Sequence, residues 1–208
     1  MAQKTLWQMG LERLKKAAKQ PAEMQLLNPL EAKIGSFVLL DTIEHVGKHF
    51  QVVELDEYTR TIIERNYKFT DYILRDGDEW ITLRIDPIPD ATLSSPKRYH
   101  ALVLTQDYEC QYDQALHEQV LPQGVMEIQQ LSATFRRLCD STQPYHATVR
   151  VLKDPHKPPE IEQYDYWDFV RERPDGATEF YFVEMESKTG YFKMFIGTEV
   201  SETQIMTL

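Results

Sequence analysis

Tyr67-Lys68-Phe69-Thr70-Asp71-Tyr72-Ile73-Leu74-Arg75, then Asp76-Gly77-Asp78, then Glu79-Trp80-Ile81-Thr82-Leu83-Arg84-Ile85 carries the strongest local signal in the chain. Bulky β-branched and aromatic residues fill both runs, and Asp-Gly between them offers the positive φ that a tight hairpin turn requires. The stretch therefore predicts two antiparallel strands. Working outward, residues 36–42 and 48–56 are rich in Val, Leu, Ile and Phe around Glu44-His45-Val46-Gly47, which predicts a second hairpin. Residues 99–106, 146–152, 164–173, 178–186, 191–196 and 204–208 read as further strands.

Two segments have a helical pattern. Trp7, Leu11, Leu14 and Ala18 recur at i, i+4, i+7 and i+11 until Pro21, which predicts a short amphipathic helix. Val125, Ile128, Leu131, Phe135 and Leu138 also follow helical spacing and predict one further helix over 125–138. The prolines and serines of 86–96 interrupt strand pairing and read as a linker. The expectation is a mainly β (α+β) protein of strongly bent antiparallel sheets or a barrel. Its segments are an N-terminal helical one at 1–28, a first β half at 29–93 and a second at 94–208, the halves packed as one unit.

Composition narrows the function classes. The 208 residues are 42% hydrophobic, enough for an ordinary core, and no apolar run approaches the roughly 20 residues of a membrane-spanning helix. The N-terminus lacks the apolar centre and cleavage site of a secretory signal, and the two cysteines, Cys110 and Cys139, are too few for a disulfide framework. A cytoplasmic protein is expected. A net charge of −10 without a basic, aromatic-interleaved stripe argues against nucleic acid as a partner. Charge is uneven: in residues 1–20 five basic side chains face one acidic, leaving that segment at +4 and the remainder at −14. The helix bearing Trp7, Leu11 and Leu14 is thus expected to pack on its own body or on a twin subunit, or to contact a partner or an anionic membrane surface.

The hairpin stretch has an echo. Tyr67-Lys68-Phe69-Thr70-Asp71-Tyr72-Ile73 sets over Tyr164-Asp165-Tyr166-Trp167-Asp168-Phe169-Val170, both reach an Asp-Gly turn, and Glu79-Trp80-Ile81 then sets over Glu179-Phe180-Tyr181. Two copies of one β unit is one explanation; the restricted chemistry of hairpins is the other. Gly35 with Val38, Phe50-Gln51-Val52-Val53, Phe69-Thr70-Asp71-Tyr72-Ile73-Leu74 and Asp78-Glu79-Trp80 resemble an uncharacterised bacterial family, domain of unknown function 4178. In the second half Tyr166-Trp167-Asp168-Phe169 and Gly197-Thr198-Glu199-Val200 are similar to its closing strands. The resemblance implies a β fold, and it carries over no catalytic residue.

Candidate chemistry is sparse. His45 and His49 lie beside Glu44, but the turn at Val46-Gly47-Lys48 denies them the shared helix face of a zinc site, and solvent-facing turn histidines are expected. Cys110, Asp113 and His117 supply the residue types of a thiolate nucleophile, clustered only in sequence. Asp71 and Asp168 each share a strand face with apolar neighbours, so an inward face would bury two carboxylates, with a backbone amide or tyrosine hydroxyl as the usual partner. Together with Tyr166, Trp167 and Trp80 they are the candidate ligand-binding residues. The aromatics of 164–195 are expected to fill the sheet interior or to line a cavity for a small apolar ligand. No phosphate loop, nucleophile elbow or Cys-x-x-Cys pair occurs, and no cofactor or metal is called for. A non-enzymatic binding or interaction module is the first expectation, a carrier with an aromatic-lined barrel the second, an enzyme of unknown class the third.

Overall fold

A computed structural model describes residues 29–62, 65–88, 97–138 and 143–208. The Asp76-Gly77 hairpin forms where its sequence places it, as β3 (Arg65–Asp76) and β4 (Glu79–Pro87). Asp76 pairs with Glu79 across a two-residue loop, and Gly77 takes the required positive φ of 61°. The earlier hairpin is β1 (Phe37–Leu40) with β2 (His49–Ile62). The other strands are β5 (Tyr99–Cys110), β6 (Val125–Ile128), β7 (Ala133–Arg137), β8 (Tyr145–Leu152), β9 (Glu160–Glu172), β10 (Thr178–Glu186), β11 (Phe192–Val200) and β12 (Ile205–Thr207).

Eight of these close on themselves in the order β2-β3-β4-β5-β11-β10-β9-β8 and back to β2, every pairing antiparallel. A closed barrel leaves no free edge among those strands, which is how antiparallel sheets avoid unpaired backbone. The Pro-rich segment joins strands that pair directly, and the Ile88 amide donates to the Arg98 carbonyl across its ends. β2–β5 and β8–β11 are each a run of four strands paired with their chain neighbours, the second run passing round the barrel in the sense opposite to the first. Their registers differ, however: Arg84 lies opposite Asp71, whereas Glu184 lies opposite Tyr166 and Phe182 opposite Asp168.

Alternation along the strands separates an interior from two exterior cores. On one outer side Tyr72, Leu74, Leu83, Ile85 and Tyr99 pack under Val38 and Leu40 of β1 and Ile205 of β12. On the other, Trp167, Phe169, Tyr181, Val183 and Phe192 pack under the β6–β7 hairpin through Met126, Ile128 and Phe135. A bulge in β2 manages the change of face. Val52, opposite Leu74, belongs to the outer core, while Glu54, opposite Ile73, turns to the interior.

The helix expected over 125–138 is corrected to that β6–β7 hairpin. Gly124 at φ 71° and Ser132 at φ 47° break any helical run, and the side chains that bury are Met126, Ile128 and Phe135. Leu138, on the supposed apolar stripe, is half-exposed. β7 docks on β9 through Arg136 opposite Val170 and Arg137 opposite Phe169, so strand pairing prevails over local helical spacing. A short helical turn does form just before it, at Leu116–Val120. The amphipathic helix at 7–18 lies outside the described residues. Among the described residues no helix is long and apolar enough to cross a membrane.

Candidate ligand site in the barrel interior

An eight-stranded barrel has just enough interior for side chains, normally apolar ones. Here β2, β3, β4, β9 and β10 send charges inward. Asp71 is 3% exposed, and Arg84 of the neighbouring strand holds it with both arms: Nε donates to Oδ1 at 2.8 Å and Nη2 to Oδ2 at 2.7 Å. Arg84 Nη2 also donates to Glu184 Oε1 at 3.0 Å, and the Tyr58 hydroxyl donates to Glu184 Oε2 at 3.3 Å. The guanidinium lies against Phe69 and Phe182, 4.5 and 4.6 Å from the ring centroids. Beside this group Arg60 Nη1 donates to Asp168 Oδ2 at 2.8 Å and lies over the rings of Tyr145 and Tyr166 at 4.8 and 5.2 Å.

Burial alone would lower the Arg84 guanidinium, yet Asp71 and Glu184 together hold it well above its ordinary value. Burial pushes the Glu184 carboxyl up, and Arg84 only partly offsets it. Asp56 is raised to about 9, first by burial and then by the charges of Glu54 and Asp71. The buried Tyr58 hydroxyl is pushed up by burial and by Glu184.

This charged group fills the middle of the barrel and leaves a chamber on either side. The first, about 270 Å³, is lined by Asp56, Asp71, Glu184, Tyr164, Lys193 and Trp80 among others. The second, about 200 Å³, is lined by Arg60, Asp168, Phe69, Leu102, Phe180 and Phe182 among others. Small-molecule sites combine mostly apolar walls with a few convergent polar groups, which describes the second chamber more closely than the first.

The structure brings Asp71, Asp168 and Tyr166 into this interior and sets Trp80 at the rim of the first chamber, 52% exposed with the Arg75 guanidinium 5.0 Å from its ring centroid. Trp167 does not join them. It points to the outer core, its ring 5.7 Å from that of His117 and 6.4 Å from that of Phe192. Trp7, Leu11 and Leu14 lie outside the described residues. The expected partners of the two aspartates are corrected: arginines, neither amides nor tyrosines, hold them. Arg84, Glu184 and Arg60 are not among the residues that the sequence singles out. The signal for them was their position at alternate residues of runs otherwise full of apolar side chains, where an inward charge demands an inward partner.

The aromatics of 164–195 divide between the two faces: Phe180, Phe182 and Phe195 line the chambers, while Trp167, Tyr181 and Phe192 pack outside. His45 also differs from expectation, being 6% exposed, edge-on to Phe50 at 5.6 Å, with Nδ1 3.4 Å from Glu79 Oε1. Glu79 is shared with Lys48 of the same turn, which draws the loop onto the β3–β4 hairpin. The Cys110 thiol is pushed up by burial and by Asp113, the opposite of thiolate activation. His117 meets the Tyr112 hydroxyl through Nδ1 at 3.2 Å, and Asp113 Oδ1 accepts from the Leu116 amide at 2.9 Å, so both have other partners. Among the described residues no group of three or more His, Cys, Asp or Glu side chains is placed to hold a metal.

Fold and site together define a closed antiparallel barrel with a charged centre between two chambers. No family model, curated protein or solved structure matches the chain.

Proposed function

We propose that this protein is a non-enzymatic binding module whose ligand enters the barrel. The observation that carries the reading is the Arg84 group, a buried ion network in the centre of a barrel that apolar side chains could fill instead. Desolvation makes buried networks of this kind weak contributors to stability, so stability alone is a poor reason for one. Its position leaves both chambers with charged floors, and such groups orient a small molecule entering from either end.

A fragment screen read by methyl NMR tests the proposal. Ile73 and Leu104 report on the first chamber and Leu102 on the second. Saturable shifts at these methyls are expected for part of a polar fragment set. Fragments that move only surface methyls would defeat the reading.

Three further readings belong to the same proposal. Docking of the helix bearing Trp7, Leu11 and Leu14 on the body or on a partner is supported by opposite net charges, +4 against −14. Duplication of one β unit is supported by β2–β5 and β8–β11 each being a run of four strands paired with their chain neighbours. Kinship with domain of unknown function 4178 is supported by its motif residues falling on paired strands.

A further inference from the structure

We infer that the second chamber takes a small neutral molecule with a compact apolar body and a primary carboxamide head, seated on Arg60 and Asp168. The inference rests on the reading of the barrel as a binding module and names the ligand class for one of its two chambers.

Asp168 is 3% exposed, and only one of its oxygens is occupied: Oδ2 accepts from Arg60 Nη1 at 2.8 Å, while Oδ1 has no hydrogen-bond partner among the described residues. Arg60 Nε, on the same pair, and the hydroxyl of Tyr166, whose ring lies under the Arg60 guanidinium, are likewise buried without a geometric hydrogen-bond partner among the described residues. Buried polar atoms are almost always satisfied, and an unsatisfied one in a cavity wall is most simply explained by a partner that arrives from the cavity. The pair thus leaves one acceptor and one donor on two adjacent side chains. A carboxamide offers the complement on two adjacent atoms, its N–H for Oδ1 and its carbonyl oxygen for Nε–H.

Charge argues against the ionic alternatives. Arg60 and Arg84 both line the chamber and oppose an ammonium head, while Asp86, Asp168 and Glu199 oppose a carboxylate. The walls set the body. Phe69, Leu102, Phe180 and Phe182 are apolar, Phe180 and Phe182 stack in parallel with centroids 5.9 Å apart, and about 200 Å³ would hold roughly seven waters, the room needed by one substituted ring.

The test uses the full chain and benzamide as the probe, with Leu102 and Leu138 methyl shifts as the readout. Benzamide is expected to shift both methyls saturably, with benzoate, benzylamine, benzyl alcohol and toluene each about tenfold weaker or more, the loss expected of one hydrogen bond to a charged group. Asp168→Asn is expected to abolish the preference for benzamide over toluene. Because that variant disturbs a buried ion pair, Leu102→Phe provides a second test: it fills the chamber without touching the pair and is expected to abolish the shift of Leu138 by benzamide. Toluene binding as tightly as benzamide would show a mere apolar void and overturn the inference, as would benzamide binding unchanged in both variants. Responses confined to Ile73 and Leu104 in the fragment screen would preserve the binding barrel while removing this ligand class from the second chamber.

Discussion

Arg84 and Glu184 are a hundred positions apart in the chain and meet in the barrel centre at 3.0 Å, Arg84 at the same time gripping Asp71 with both arms of its guanidinium. The contact ties β10 to the β3–β4 pair through side chains, across the interior. Its dependence on three partners makes each of them costly to remove singly.

Asp71→Ala is therefore expected to destabilise the fold by about 3–5 kcal/mol, since it strands a buried guanidinium with half its compensation. Replacing Arg84, Asp71 and Glu184 together by Met, Leu and Leu is expected to be neutral or to stabilise by about 1–4 kcal/mol, because the desolvation penalty disappears with the charges. Urea unfolding of the two variants checks both; a single substitution as mild as the triple one would show that the three groups are not coupled.

Gly197 lies inside the barrel where a Cβ would meet Leu104 Cδ2 at 2.8 Å and Phe182 Cε2 at 3.0 Å. Gly197→Ala should cost about 1–3 kcal/mol by overpacking. Adding Leu104→Val, which withdraws part of the clashing side chain, should recover some of it, and a double-mutant cycle on thermal unfolding measures the recovery.

Asp56 supplies a pH dependence with a definite sign. Its folded-state value of about 9 stands above the ordinary 3.8, so between these values the folded protein holds a proton that the unfolded chain has released. The stability this proton contributes is complete below pH 3.8 and is lost as pH rises toward 9. Asp56→Asn should leave stability near pH 4 little changed and raise it relative to the parent at pH 8. Equal effects at both values, in urea titrations, would contradict the raised carboxyl.

Burial and Asp113 hold the Cys110 thiol up, so alkylation by iodoacetamide at pH 8 should be slower than that of a free thiol in solution. Measured in a Cys139→Ser background, a rate faster than the free thiol would revive Cys110 as a nucleophile.

Ser132 holds a φ of 47° at the end of the β6–β7 turn, a conformation that glycine adopts without strain. Ser132→Gly is expected to stabilise by up to about 1 kcal/mol, and chemical denaturation resolves a shift of that size.

Much of the β content could be read directly. Asp76-Gly77 between two bulky runs needs only its own φ requirement to make a hairpin, and the alternation around Asp71 and Asp168 already put both carboxylates on faces shared with apolar side chains. At 125–138, residues at helical spacing form strands because β9 offers β7 a ladder partner from a distant part of the chain. Trp167 is a second such case. Alternation sets that residue on the face opposite Asp168, but which face is interior follows only from closure of the barrel.

Apart from β6 and β7, the strands, their turns and the two-faced pattern along them follow from the residues alone, because these depend on backbone preferences and on neighbours one or two residues away. Closure of eight strands, the meeting of Arg84 with Asp71 and Glu184, and an Asp168 oxygen left without a partner among the described residues beside a chamber come only from the assembled fold. Those outcomes depend on register between strands far apart in the chain, and a register is settled by the packing of all the strands at once.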